Sequence, residues 1–194
     1  MKRGINTKCL HLEDEEGCFD NYGSLSYPIY QTATYAHPAV GESTGYDYSR
    51  LQNPTREHLE KIVAALEDGI DAIALSSGMA AITLLMEIFK PGDHVIVDSD
   101  LYGGSIRLFS NVSEKNNITF SRVDCHKEKV EAYITENTKA IYIETPTNPM
   151  MNVTDIEAMV KIAHERGLLL IVDNTFMSCL LYTSPSPRDA HESR

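Results

Sequence analysis

The chain reads as an α/β domain: a mostly parallel sheet with helices on both faces. Three observations predict it. From about residue 72 onward, short apolar runs alternate with amphipathic stretches in βαβ order. The runs, such as Ala140-Ile-Tyr-Ile143 and Leu168-Leu-Leu-Leu-Ile-Val172, are apolar throughout, as expected for strands covered on both sides. Polar residues stand at or just past their C-terminal ends: Ser76 and Ser77, Asp98, Asp124, Glu144 and Asp173. In a parallel sheet these ends share one edge, where open α/β sheets hold ligands.

The elements follow in order. Residues 1–50 show little periodicity and are rich in Tyr, Gly, Ser and Pro, as in Tyr27-Pro-Ile-Tyr-Gln31 and Gly41-Glu-Ser-Thr-Gly45. So long a structureless stretch is either functional or disordered, and its tyrosines argue against disorder. We therefore expect an intersubunit arm over 1–50, ordered by packing on a second copy. Pro54 marks a helix start. Leu59, Ile62, Val63 and Leu66 follow at helical spacing, and Gly69 ends the helix. Ala72-Ile-Ala-Leu75 is expected as the first strand. Ser76-Ser77-Gly78 then turns into an apolar helix, Met79–Phe89. Pro91-Gly92-Asp93 is a turn before the strand His94–Asp98. A helix over about Gly104–Glu114, a strand Ile118–Val123, a helix over about Lys127–Thr135 and a strand Ala140–Ile143 come next. Thr154-Asp-Ile-Glu157 has the form of a capping box. Behind it Ile156, Met159, Val160 and Ala163 form a helical face, and Gly167 caps the helix before the fifth strand, Leu168–Val172.

The stretch Cys179-Leu-Leu-Tyr-Thr-Ser-Pro-Ser-Pro-Arg-Asp189 breaks this pattern. It has no α/β periodicity and reads codon by codon as the translation of a transposase sequencing adapter. A Ser/Pro-rich linker is the other reading of its composition. We expect 179–194 to be a non-native, adapter-derived tail. Ser178 is ambiguous, and 51–178 is expected to be part of a larger α/β domain.

The formal charge is −11, which argues against nucleic acid or an anionic membrane as partner. No run approaches the roughly 20 apolar residues of a membrane span. Met1-Lys2-Arg3-Gly4 is followed by no apolar segment, so a secretory signal is not expected. Cys9, Cys18 and Cys125 lie outside the tail, are odd in number and lack CxxC spacing, so neither a disulfide framework nor a zinc site is indicated. A reducing cytoplasm is the expected compartment. The seven histidines show no metal-ligand spacing, so no metal is expected.

Four places at the expected edge and one in the arm carry candidate chemistry. Ser77-Gly78-Met79 lies between a strand and a helix N-terminus, where free N–H groups and the helix dipole favour a phosphate. A glycine-assisted turn with a serine cap has the same sequence. Tyr48-Ser-Arg50 offers a guanidinium fork for phosphate oxygens; its spacing alone fits a surface arginine beside Asn53-Pro54 better. Tyr102 could stack on a flat heteroaromatic ring or pack a loop onto the sheet. Asn148 could donate to a phenolate-type oxygen or form a turn before Pro149. Asp173 is the sharpest: a carboxylate closing a fully apolar strand needs a cation or donors. A protonated pyridine nitrogen is such a partner; a helix cap or ion pair is the alternative.

Taken together, Tyr27-Pro-Ile-Tyr-Gln31, Tyr48-Ser-Arg-Leu-Gln-Asn-Pro-Thr55, Ser77-Gly-Met79, Asp98-Ser-Asp-Leu-Tyr-Gly103, Glu144-Thr-Pro-Thr-Asn-Pro149 and Val172-Asp-Asn-Thr175 resemble the Cys/Met-metabolism family of pyridoxal-phosphate enzymes. Order and spacing agree over nearly all of 5–178. The resemblance implies a truncated fold-type I, aspartate-aminotransferase-like large domain with pyridoxal 5'-phosphate as cofactor. It also implies a small amino-acid substrate and a homo-oligomer, usually a tetramer, with shared active sites. Ser77, Gly78 and Met79 would then hold the cofactor phosphate, and Tyr48 and Arg50 would reach the neighbouring subunit's. Tyr102 would stack on the ring and assist proton transfer, Asn148 would contact the 3-oxygen, and Asp173 would hold the ring nitrogen protonated. The family's Schiff-base lysine sits in a Ser-x-Thr-Lys segment shortly beyond Asp-Asn-Thr, but here no lysine follows Lys161. The chain as it stands is therefore expected to be inactive.

Asp47 before Tyr48 resembles the acidic residue that cystathionine γ-synthases and some γ-lyases place there, which implies γ-replacement or β/γ-elimination on cysteine and homoserine derivatives. O-acetylhomoserine sulfhydrylase or methionine γ-lyase is the alternative. A nucleotide-binding α/β module is the out-of-class alternative, weakened by the missing GxGxxG. A non-catalytic interaction protein that has lost the lysine is a third.

Overall fold

A computed structural model describes residues 4–9, 22–24 and 26–177. Cys18, Ser178 and the expected tail lie outside the described residues. Two compact units divide the chain, Met1–Ser76 and Ser77–Arg194.

The first unit holds a single turn, α1 (Ile5–Lys8), and a 13-residue helix, α2 (Pro54–Leu66). Asn53 caps α2: its Oδ1 accepts the Thr55 N–H at 2.9 Å, with Pro54 at the first helical position. The same side chain donates to the Tyr30 carbonyl at 3.1 Å and to Ser49 Oγ at 3.0 Å, tying two stretches of the arm to the helix start. Those stretches also meet directly. Tyr48 bridges Thr34 in antiparallel fashion, and the Ser49 N–H donates to the Ala33 carbonyl at 2.9 Å. On the apolar side of α2, Leu59 and Val63 stay exposed.

The strand expected over Ala72–Leu75 is absent: the segment has no strand pairing, and Ile73 and Leu75 are exposed. Side chains take its backbone donors instead. The Ala72 N–H donates to Asp71 Oδ1 and the Ala74 N–H to Glu60 Oε1, at 2.8 and 2.9 Å. An apolar run becomes a strand only where a partner edge accepts its N–H groups.

In the second unit, α3 (Gly78–Met86) precedes β1 (His94–Asp98), α4 (Gly103–Leu108), β2 (Thr119–Val123), β3 (Thr138–Glu144), α5 (Ile156–Glu165) and β4 (Leu169–Asp173). The four strands are all parallel, in the order β2-β1-β3-β4. Both faces are covered, as the unbroken apolar runs require. On one face Val95, Val97, Ala140 and Tyr142 pack with Met86, Phe89 and Phe109. On the other, Ile96, Ile141 and Ile143 pack with Val130, Met159 and Ala163. His94 is a buried bridge across three strands, its ring nitrogens 2.8 Å from Thr138 Oγ1 and 2.9 Å from Ser121 Oγ. Burial lowers its pKa and keeps it neutral.

Several boundaries differ from expectation. The helix expected to reach Phe89 ends at Met86. The one expected to reach Glu114 stays α-helical only to Leu108. It continues as a π turn (Phe109–Ser113) and a 3-10 turn (Glu114–Asn116). Asn117 then closes it in the left-handed conformation, φ +62°, which asparagine tolerates. The helix expected over Lys127–Thr135 shrinks to a 3-10 turn, Val130–Tyr133, in which Val130 alone is buried. One apolar anchor is too little to offset the cost of a longer helix. The capping box is displaced by one residue. Asp155, not Thr154, is the N-cap of α5, accepting the Ala158 N–H at 3.0 Å. Gly167 follows α5 at φ +65°, the left-handed position expected of it.

Candidate functional site

Chain order reverses between β1 and β3: the chain moves outward from β1 to β2, then returns to β3 on the other side. Such a switch point opens a crevice beyond the strand ends. The loop after β1 carries Tyr102, and the loop after β3 carries Asn148. A buried carboxylate holds both. Glu144, 2 % exposed, accepts the Tyr102 N–H on Oε2 at 2.8 Å and the Asn148 N–H on Oε1 at 2.9 Å. Burial raises its pKa, and those two donors oppose the rise.

Glu144 pairs directly with Asp173 on β4, so both carboxylates lie on one face of the sheet. Asp173 is part-exposed at the rim. Its Oδ1 accepts from the Thr175 N–H at 3.1 Å and the Thr175 hydroxyl at 2.5 Å. Its Oδ2 accepts from the Tyr142 hydroxyl at 2.9 Å. The ion pair that was one alternative for Asp173 is not found among the described residues. The loop beyond β3 is secured by Thr147, whose hydroxyl donates to Asp100, and by the Asn152 side chain, which donates to the same Asp100 oxygen at 3.2 Å. Both X-Pro bonds here, Thr145-Pro146 and Asn148-Pro149, are cis.

At the start of α3, Ser77 Oγ accepts the Ala80 N–H at 3.1 Å, and among the described residues nothing caps the Gly78 and Met79 N–H groups at the helix N-terminus. A Cβ on Gly78 would meet nothing within 4 Å, so this turn is open. Gly104 is the reverse case: a Cβ there would lie 2.4 Å from Tyr102 Cε1 and 2.8 Å from Met79 Sδ. Glycine at 104 therefore lets the Tyr102 ring lie against its own helix start, close to Met79. That ring remains 44 % exposed, with a face free to stack.

The second unit thus gathers Ser77, Gly78, Met79, Tyr102, Asn148 and Asp173. Tyr48 and Arg50 belong to the first unit, exposed, with the Arg50 guanidinium carbon 5.1 Å from the Tyr48 ring centroid. Sequence reasoning missed Gly104 and Tyr142 altogether, and noted Glu144 only as a polar strand end. The short spacing Tyr102-Gly-Gly104 was the one available signal for the close approach at Gly104.

An open helix start, an exposed aromatic ring and a hydrogen-bonded rim carboxylate thus stand in one parallel α/β unit. The chain belongs to the Cys/Met metabolism PLP-dependent enzyme family (PLP, pyridoxal 5'-phosphate), whose model matches residues 6–186. That span reaches past the expected 178/179 boundary. It is 52 % identical over 186 residues to a cystathionine gamma-synthase/O-acetylhomoserine (thiol)-lyase of Bacillus subtilis (strain 168), covering 93 % of this chain and 48 % of the relative. It is also 52 % identical over 155 residues to that organism's cystathionine gamma-lyase, covering 79 % and 41 %. The solved cystathionine gamma-lyase from Lactobacillus plantarum, complexed with L-serine, superposes with a TM-score of 0.81 at 42 % identity, over 89 % of this chain and 45 % of that one. The metB structure from Corynebacterium glutamicum gives 0.82 at 43 %, with the same coverage. The chain therefore spans about half the length of these relatives, and it has the large-domain fold of PLP-dependent enzymes.

Proposed function

We propose that the chain is the N-terminal part of a PLP-dependent trans-sulfuration enzyme acting on cysteine or homoserine derivatives by γ-replacement or β/γ-elimination. The cystathionine γ-synthase or γ-lyase type fits best. The observation that carries this reading is Asp173, a rim carboxylate with donors on both oxygens, on the same sheet face as Glu144. A carboxylate so held is fixed in orientation, as a partner for a protonated ring nitrogen must be.

Ser77, Gly78 and Met79 hold the cofactor phosphate through backbone N–H groups and the end of the helix dipole. Tyr102 would cover one ring face and assist proton transfer, Asn148 would contact the ring 3-oxygen, and Asp173 would keep the ring nitrogen protonated. When bound, the cofactor supplies the electron sink that lets a substrate α-proton be removed. Tyr48 and Arg50 reach the phosphate bound by a neighbouring copy. The exposed apolar side of α2 and the exposed Tyr48 support that shared site. No lysine follows Lys161 in this sequence, and we read the chain by itself as inactive. No helix among the described residues is long and apolar enough to cross a membrane, and we assign the enzyme to the cytoplasm. O-acetylhomoserine sulfhydrylase activity remains the second reading, favoured by the double name of the 52 %-identical Bacillus relative.

Recovering the full-length reading frame tests the proposal. A Ser-x-Thr-Lys segment soon after Thr175, and turnover of cystathionine or an activated homoserine ester by the purified product, are the expected results. A native in-frame stop in place of that segment would contradict it.

A further inference from the structure

We propose that Tyr142 is a positioning residue for the cofactor: from inside the core, its hydroxyl fixes the carboxylate that faces the ring nitrogen. This rests on the PLP reading above and extends it to a residue that touches no ligand. Tyr142 pairs with Ile171 on β4, and Glu144 with Asp173. Side chains two apart on a strand share a face, so Tyr142 and Asp173 are diagonal neighbours across the β3–β4 ladder. A tyrosine is long enough to span that diagonal, and the hydroxyl lies 2.9 Å from Asp173 Oδ2.

The donor is rigid. Tyr142 is 1 % exposed, and its ring packs edge-on against Phe109, centroids 5.4 Å apart at 81°. Its rotamer is therefore set by core packing, independently of any ligand. The donor is also well matched to its task. Glu144, the carboxylate beside Asp173, already accepts the Tyr102 and Asn148 N–H groups and offers no proton when ionised. Thr175 serves Oδ1 from the exposed turn just past the strand, whereas Tyr142 serves Oδ2 from the packed layer beneath. Burial, the Asp173 charge and the hydrogen bond to it all raise the Tyr142 pKa, so the hydroxyl remains a donor across the working pH range. A hydrogen bond that turns one carboxylate oxygen toward the core fixes which lone pairs remain for the ring N–H.

The test is a double-mutant cycle in the full-length holoenzyme, with Tyr142→Phe, Asp173→Asn and the double variant. Two readouts are taken: the PLP dissociation constant of the stripped protein, and the induced circular dichroism of the bound cofactor. Tyr142→Phe removes a single oxygen and keeps the ring packing. It should weaken PLP binding about tenfold, the scale of one hydrogen bond to a charged group, and alter the dichroic band. In the Asp173→Asn background the same substitution should change affinity less than about twofold, because the partner charge is already gone. Unchanged affinity and dichroism in Tyr142→Phe would overturn the proposal. So would an equal loss in both backgrounds, which would assign the effect to packing. Failure of the wild-type protein to bind PLP would instead overturn the parent reading, and this role with it.

Discussion

The carboxylate of Glu144 accepts the backbone N–H of Tyr102, 42 residues earlier in the chain, at 2.8 Å. One buried side chain thereby joins the loops of two strands on either side of the switch point, since its second oxygen holds Asn148. Glu144→Ala would leave two N–H groups without an acceptor. It should cost about 2–4 kcal/mol of stability and weaken PLP binding as both loops drift. Glu144→Gln keeps one acceptor and should fall between. Thermal melts and PLP titration of the full-length protein check both.

Gly104 separates site geometry from stability. Gly104→Ala would drive a methyl group into the Tyr102 ring and the Met79 sulfur. The part-exposed ring can swing outward, so the fold should survive, with a stability change within about 1 kcal/mol because alanine also favours the helix. PLP affinity should fall about tenfold, the worth of one well-placed ring contact. Parallel melting and binding curves decide it. Normal affinity would mean that the ring has no role in holding the cofactor.

Asp98 gives a pH prediction. It is 1 % exposed, and its Oδ2 has no hydrogen-bond partner among the described residues. Burial raises its pKa, with the Asp100 N–H opposing and the nearby Asp124 charge adding to the rise. A carboxyl raised in the folded state contributes stability below its unfolded value, near 3.8, and that contribution is lost as pH climbs through the folded pKa. At neutral pH the ionised group is therefore a net cost. Asp98→Asn should flatten the fall in melting temperature above the carboxylate range and leave the protein melting higher than the wild type at pH 8. A melting series from pH 5 to pH 8 on both proteins is the check.

The shifted cap of α5 is equally testable. Asp155→Ala should cost about 1 kcal/mol, the usual worth of an N-cap. Thr154→Val should be neutral or slightly stabilising, because the buried Thr154 hydroxyl has no partner among the described residues. The opposite ranking in denaturant titrations would restore Thr154 as the cap.

Much of the second unit was legible because its strands are covered on both sides. An apolar run ending in a carboxylate marks β1, β3 and β4 to within two residues at either end, and Gly167 marks the stop before β4. The Asn53-Pro54 start of α2 was readable for a similar reason, since cap and first turn are local. What the sequence hid was pairing at a distance. Ala72–Leu75 has strand composition, but its N–H groups go to side chains. Lys127–Thr135 has charges at helical spacing, but a single buried anchor. Tyr142, Glu144 and Gly104 owe their importance to neighbours that only the β3–β4 register and the loop approach bring near. Beyond the Tyr102-Gly-Gly104 spacing, no local pattern encodes them.

The central claim is that Asp173 stands against a protonated ring nitrogen, and one titration tests it most directly. The full-length protein, stripped of cofactor, is titrated with PLP beside its Asp173→Ala variant, following the visible absorbance. The account predicts stoichiometric uptake by the wild type and affinity lower by about a hundredfold in the variant, the scale of losing a buried charge pair. Wild-type protein that takes up no PLP at saturating concentration, or a variant that binds it equally well, would contradict the account.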